Sequence, residues 1–383
     1  MRRFLYMALL AALAAGCDRG GGIEDGEKAL ALGDYQKAAK CFKDALKAHP
    51  SSISLLYNLG TAQALSGDSK GAVASFRDIL RFTPGDLDAS EALAAELRKS
   101  GSPESLLESH DLLDFAVSFR QGSDKARALN SLALTEMALH RSDLALARLI
   151  EAFDVAPGYA PTHYNYAILL SRELNLPGRA AEELEKFAAS PDAPAKLAEK
   201  AKALRVSLLP RIAAPYSHKT APEASALAKR GAEAYAKRDY KSAEKAFAAA
   251  SAADPLDFES ALNRAHSLLA LGRTAEARSA YGEASALNPA RQDAAFWHPR
   301  LAYAEGDCDE AVRLFTGAFI PQWPEDPQGL LYATYAYTKL QRYYEARVYG
   351  ALYLAVARKS NPKAKLSDFE SWLAKLPETK FKP

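Results

Sequence analysis

The chain has 383 residues and a net charge of +2, from 49 basic against 47 acidic side chains, with 49% hydrophobic and 25% charged residues. That composition is ordinary for a folded protein, and it lacks the basic excess with which proteins neutralise a phosphate backbone, so no nucleic-acid partner is expected. The length is enough for two compact units or one long array.

At the start, Met1-Arg2-Arg3 precedes an apolar run from Phe4 to Ala15 and then Gly16-Cys17. A basic tip, a short apolar stretch and small residues before a cut define an export signal over 1–16. The run is too short for a spanning helix, which takes about 20 apolar residues. Ala14-Ala15-Gly16-Cys17 resembles a bacterial lipobox, although Ala14 stands where leucine is more usual. The resemblance implies cleavage before Cys17 and its lipidation, with 17–22 as lipidated cysteine and glycine-rich spacer; the alternative is ordinary cleavage and a soluble exported protein. Asp18 resembles a residue that retains lipoproteins in the inner membrane of enteric bacteria, a rule that does not hold in all bacteria. The expected location is therefore the inner or outer membrane, facing the periplasm or the exterior. Losing Arg2 and Arg3 would leave basic and acidic residues equal in number.

Beyond the spacer, Gly33, Ala38, Phe42 and Pro50 recur 34 residues later as Gly67, Ala72, Phe76 and Pro84. The same spacing returns as Ala243, Phe247, Ala250 and Pro255, then as Ala277, Tyr281, Ala284 and Pro289. Such a period marks a helical solenoid, whose hairpins each bury one face and gain stability by stacking. Leu56, Leu59, Gly60, Ala72, Phe76 and Pro84 fall at the spacing of the tetratricopeptide consensus, and the chain resembles that family. The resemblance implies an all-α solenoid of helix-turn-helix repeats in two blocks.

In chain order, block 23–209 holds about five repeats. The first has an irregular opening helix. The third, degenerate, is broken at Gly101-Ser102-Pro103, and the fifth carries an insertion near Asn175-Leu176-Pro177-Gly178. A capping helix is expected over 194–208. Three prolines in 210–222 predict a semi-extended hinge. Block 223–383 holds four repeats and a short capping helix from Leu366 to Leu376. Pro299, inside the first helix of its repeat, is expected to kink or shorten it.

No HExxH, GxSxG, P-loop or CxxCH motif is present, and the seven histidines are scattered; neither catalysis, a metal nor a cofactor is expected. Glu182-Glu183 reads as a solvated pair. Cys41 reads as a small buried residue, whereas Cys308, at a turn, could be a reactive or intermolecular thiol.

The family's concave groove is lined by fixed positions of the first helix of each repeat. Carried over, they give Tyr57 and Asn58, with Asn130, Asn165, Asn263 and His266, then Phe296, Arg300 and Tyr303, and finally Tyr332, Tyr335 and Lys339. The far end is thus aromatic and basic, a composition typical of binding hot spots. The lysines and arginine of the chaperone-tail clamp are missing from the corresponding places, where only Asn58 and Asn263 match. The leading expectation is a lipid-anchored envelope scaffold that holds a protein or peptide in the groove. The alternative is an envelope protein that binds a glycan or small molecule at the aromatic end.

Overall fold

A computed structural model describes residues 21–381, and among these described residues twenty α-helices follow one another with no strand between them. The export segment 1–16 and Cys17 lie outside the described residues. The chain divides into two compact units. The first runs to Leu169 and takes in Glu182–Ser207, and the second comprises Leu170–Ala181 and the chain from Leu208 on.

Toward the N-terminus the hairpins are α1 (Gly21–Leu32) with α2 (Tyr35–Leu46), α3 (Ile53–Ser66) with α4 (Ser69–Phe82), α5 (Leu87–Ser100) with α6 (Pro103–Ser118), and α7 (Gly122–Ala138) with α8 (Ser142–Val155). The unit boundary cuts through α9 (Ala160–Arg172) and α10 (Pro177–Ala189), and α11 (Ala195–Leu208) follows. The second unit continues with α12 (Pro222–Ala236) and α13 (Tyr240–Ala253), α14 (Phe258–Ala270) and α15 (Thr274–Leu287), then α16 (Gln292–Glu305) and α17 (Cys308–Leu314). A π-helical turn, Phe315–Phe319, extends α17, and α18 (Pro327–Lys339), α19 (Tyr343–Ser360) and α20 (Ser367–Ala374) complete it. Within each unit, consecutive helices pack side by side, and each hairpin packs on the next.

The turns follow from local chemistry. Gly67 closes α3 in the left-handed region at φ +90°, which costs glycine little, and Asp68 then caps α4 by accepting from the Gly71 N–H at 2.9 Å. Gly101 and Ser102 do the same between α5 and α6, with Pro103 in the first turn, where its missing N–H costs nothing.

What joins the two helices of a hairpin is a small residue against an aromatic ring. A Cβ added at Gly60 would lie 2.8 Å from Phe76, and one at Gly231 would lie 2.9 Å from Phe247. Gly26 meets Phe42 in the same way, so the opening helix of the first repeat, irregular by sequence, keeps the essential contact. Cys41 beside it is half-buried, more exposed than its sequence suggests.

Several expectations are corrected. Pro299 does not shorten α16, which runs for 14 residues with the proline inside it and buried. The irregularity falls instead in the following helix, as the π turn at Phe315. Cys308 is 5% exposed, and burial pushes its thiol pKa up, which removes the basis for a reactive thiol. Glu183 is buried rather than solvated, because its carboxylate takes the His163 ring at 2.6 Å and Lys186 at 2.7 Å. In the hairpin that follows the degenerate repeat, charge occupies the interior. Glu136 is wholly buried and receives Arg148 at 3.3 Å, and Arg148 also reaches Asp114 at 3.0 Å.

The stretch 210–222 is non-helical from 212 to 221, and its second half is fastened to the second unit. The Tyr216 hydroxyl donates to the Leu256 carbonyl at 2.7 Å and accepts from the Phe258 N–H at 3.0 Å. Asp254, nearly buried, takes the Ala221 N–H and the His218 Nε2 at 2.8 Å each. Thr220 donates to Asp257 at 3.0 Å. The Ala221 N–H, followed by the His218 ring, holds the Asp254 carboxyl below the usual carboxylate range.

Two outcomes test this description. Ala277 is fully buried and Ala236 exposed; Ala277→Leu should cost about 1–3 kcal/mol by overpacking and Ala236→Leu almost nothing, measured by urea unfolding. Equal effects would contradict the register. For Asp254, a lowered pKa means that its contribution is present above the ordinary carboxylate range and lost as pH falls through the folded-state value. Asp254→Asn should therefore speed amide exchange at Ala221 at neutral pH and narrow the gap to wild type in acid.

Candidate functional site

The groove-frame residues of the second unit come from α14, α16 and α18. On α16, Phe296, Arg300 and Tyr303 are spaced four and three apart, and on α18, Tyr332, Tyr335 and Lys339 are spaced three and four apart, so each set shares a face. The two faces meet. Arg300 Nε donates to the Tyr332 hydroxyl at 2.9 Å, and the Phe296 and Tyr332 rings lie 5.8 Å apart, edge to face. Tyr303 packs on Tyr332 at 5.7 Å and on Tyr335 at 6.3 Å.

Two cations rest on this surface. The Arg300 guanidinium lies 4.2 Å above the Trp297 ring, and the Lys339 ammonium sits 4.0 Å above Tyr303. Such contacts stabilise by about 0.5–1 kcal/mol when exposed and by roughly 2 when desolvated. Arg264, Arg273, Arg278, Arg291, Arg313 and Arg342 of the same unit all lie against carboxylates. Among the described residues, no ion pair links a carboxylate to Arg300 or Lys339.

The cluster is backed from below and flanked at one end. Phe315 of the π turn stacks on Tyr332 at 6.0 Å with rings nearly parallel, and Phe319 lies 5.4 Å from Phe296. From α20, Phe369 and Trp372 contact Tyr335 at 6.2 and 5.5 Å, and burial raises the Tyr335 pKa. Sequence reasoning passes over Trp297 as a site residue although it occupies a groove position beside Phe296. Phe369 and Trp372 are legible only as a cap, because a helix outside the repeat has no place in the repeat frame. Of the tyrosines at core-facing places of the repeats, Tyr337 and Tyr349 are fully buried, whereas Tyr353 is half-buried against Phe369.

The other groove-frame residues are engaged differently. His266 turns toward the interior, where its Nδ1 pairs with the buried Tyr281 hydroxyl at 2.6 Å. Burial lowers the His266 pKa and outweighs the opposing charges of Asp293 and Glu259. Asn263 is half-buried on the same helix. In the first unit Tyr57 packs edge-on against Phe76 at 5.7 Å, and Asn58 beside it is half-buried. Asn165 donates to Asn130 at 2.8 Å, and Asn130, only 4% exposed, donates onward to the Ala126 carbonyl and Thr162. That ladder ties neighbouring repeats together. The structure therefore brings Phe296, Arg300, Tyr303, Tyr332, Tyr335 and Lys339 into one surface of the second unit.

The model of the tetratricopeptide repeat family matches residues 26–87 and 229–295. Both matched segments are tetratricopeptide repeats, and on them the chain is a tetratricopeptide-repeat protein. Among solved structures it is similar to TTC0263 of Thermus thermophilus, a thermophilic TPR protein, at 21% identity over 49% of this chain and 97% of that one, with a TM-score of 0.40. YrrB, a TPR protein with an unusual peptide-binding site, is 20% identical over 52% of this chain and 97% of its own, with a TM-score of 0.34. PilW, a type IV pilus biogenesis factor, is 17% identical over 61% of this chain and 92% of its own, with a TM-score of 0.38. No curated protein matches this chain.

Because the folded state keeps His266 neutral, its contribution is full above the ordinary histidine pKa of about 6.5 and is lost as pH falls below it. His266→Gln should lose less melting temperature than wild type on going from about pH 7.5 to about pH 5.5; identical pH slopes in thermal unfolding would show that His266 titrates as if unfolded.

Proposed function

We propose that the protein is a lipid-anchored scaffold of the bacterial cell envelope that holds a protein or peptide segment on the α16–α18 surface of its second unit. The carrying observation is the pair Arg300 and Lys339, laid on aromatic faces without a carboxylate. A partner with acidic and apolar side chains would supply the missing charge and cover Trp297, Tyr303 and Tyr335. The rings offer large area at small conformational cost, which suits them to anchor a partner. Cys17 provides the attachment to the membrane, and the assembly served could be a secretion, pilus, outer-membrane or cell-wall system.

Two measurements test the two halves separately. Cells expressing the wild type should incorporate labelled palmitate into the protein, and cells expressing Cys17→Ser should not; incorporation into neither removes the anchor. In crosslinking pull-downs, Tyr303→Ala/Tyr335→Ala and Arg300→Ala should deplete the partners captured by wild type, and raised salt should release them, as screening of exposed charges requires. Equal capture by all forms would show that the surface is not where partners bind.

A further inference from the structure

The large apolar side chains left exposed in the first unit are Leu32, Ile53, Phe82, Phe115, Phe119 and, near the end of α11, Val206, and those between residues 21 and 169 mostly share one edge. Consecutive helices joined by short turns and packed side by side run antiparallel, so odd-numbered helices start, and even-numbered helices end, along one edge of the stack. Ile53 opens α3, Phe82 closes α4, and Phe115 and Phe119 stand at the end of α6. All four lie on that edge, and Leu32, at the end of α1, lies on the opposite one.

Contacts across the edge agree with this topology. Phe119 covers Gly85, which precedes α5, and the Arg120 guanidinium donates to the Gly85 carbonyl while lying 5.2 Å from the Phe119 ring. Phe115 packs edge-on against Phe119 at 4.9 Å, yet both remain about half exposed. The ion pairs nearest the edge, Lys47 with Asp44 and Arg81 with Asp78, are internally balanced. The edge also carries the exposed carboxylates Glu24 and Asp25 at the start of α1, so the rings rather than charge attraction would make the contact.

The same edge carries the start of α1 at Gly21, and only residues 18–20 separate it from Cys17. We infer that this edge rests on the bilayer, with Phe82, Phe115 and Phe119 seated at the lipid interface and Ile53 beside them. The inference builds on the lipid anchor proposed above. A lipidated cysteine fixes one point of the chain to the membrane and leaves open which face of the folded unit meets it. Aromatic side chains set at one edge would add to the anchor and fix which way the first unit faces. The occupant is a lipid surface, and a second copy of the chain is the competing outcome.

The test removes lipidation from the question. The processed chain, residues 18–383, is tethered by an N-terminal histidine tag to phosphatidylethanolamine–phosphatidylglycerol vesicles containing a nickel-chelating lipid. In a Cys41→Ala background, where Cys308 is buried, an environment-sensitive fluorophore is attached at Phe115→Cys or, as control, at Leu32→Cys. Circular dichroism verifies the helical fold of both. The expected result is a blue-shifted, brighter emission at position 115, quenched by spin-labelled lipid, with no change at position 32. Equal responses at both positions, or none at 115, would overturn the inference even if palmitate labelling succeeds. A shift at 115 that appears without vesicles and grows with protein concentration would assign the edge to a second copy and overturn it likewise.

Discussion

The structure depends on one recurring contact, the approach of a small residue to an aromatic ring inside the hairpins α1–α2, α3–α4 and α12–α13. At Gly26, Gly60 and Gly231 the absence of a Cβ lets Phe42, Phe76 and Phe247 lie flush with the facing backbone. Where Ala265 replaces glycine, Tyr281 fills the equivalent space and is completely buried. Larger side chains at these points would separate the helices and change the surface each hairpin offers to its neighbour. Because interiors are packed as densely as crystals, such a change cannot be absorbed locally.

This contact explains why so much of the architecture was legible in the sequence. Glycine, alanine, phenylalanine and proline recur because the geometry recurs, and helix boundaries followed from caps such as Gly67-Asp68 and Ser102-Pro103. What could not be read was the behaviour of polar side chains between repeats. Glu183, Asn130 and Glu136 are buried where a side chain from another helix meets each of them, His163, Thr162 and Arg148 respectively. Similarly, Tyr216, His218 and Thr220 read as linker residues, since their partners, the Leu256 carbonyl, Asp254 and Asp257, are about 35–40 positions along the chain and no local pattern announces them.

The candidate surface was partly visible for the same reason. A family frame names positions, and it correctly placed six residues of α16 and α18 on adjoining faces. It could not say which of them would be used internally. His266 and Asn165 share the frame with Arg300 and Lys339, yet their polar atoms are consumed by Tyr281 and Asn130. The distinction between a polar group paired inside the fold and a cation laid on aromatic rings exists only in three dimensions.

The Glu136–Arg148–Asp114 chain, buried at Glu136 and Arg148, also bears on how freely these repeats could be exchanged. Repeat arrays are often treated as strings of interchangeable modules, each recognising its neighbours through generic apolar surface. Here a carboxylate with no exposure is matched to an arginine on the next helix and an aspartate from the preceding hairpin. A consensus repeat spliced into this place would strand one of those charges in the interior, and stranding a buried charge costs about 3–5 kcal/mol. The joint between the third and fourth hairpins is thus keyed: each accepts its own neighbour and no standard substitute, which ties the order of these hairpins to their individual sequences.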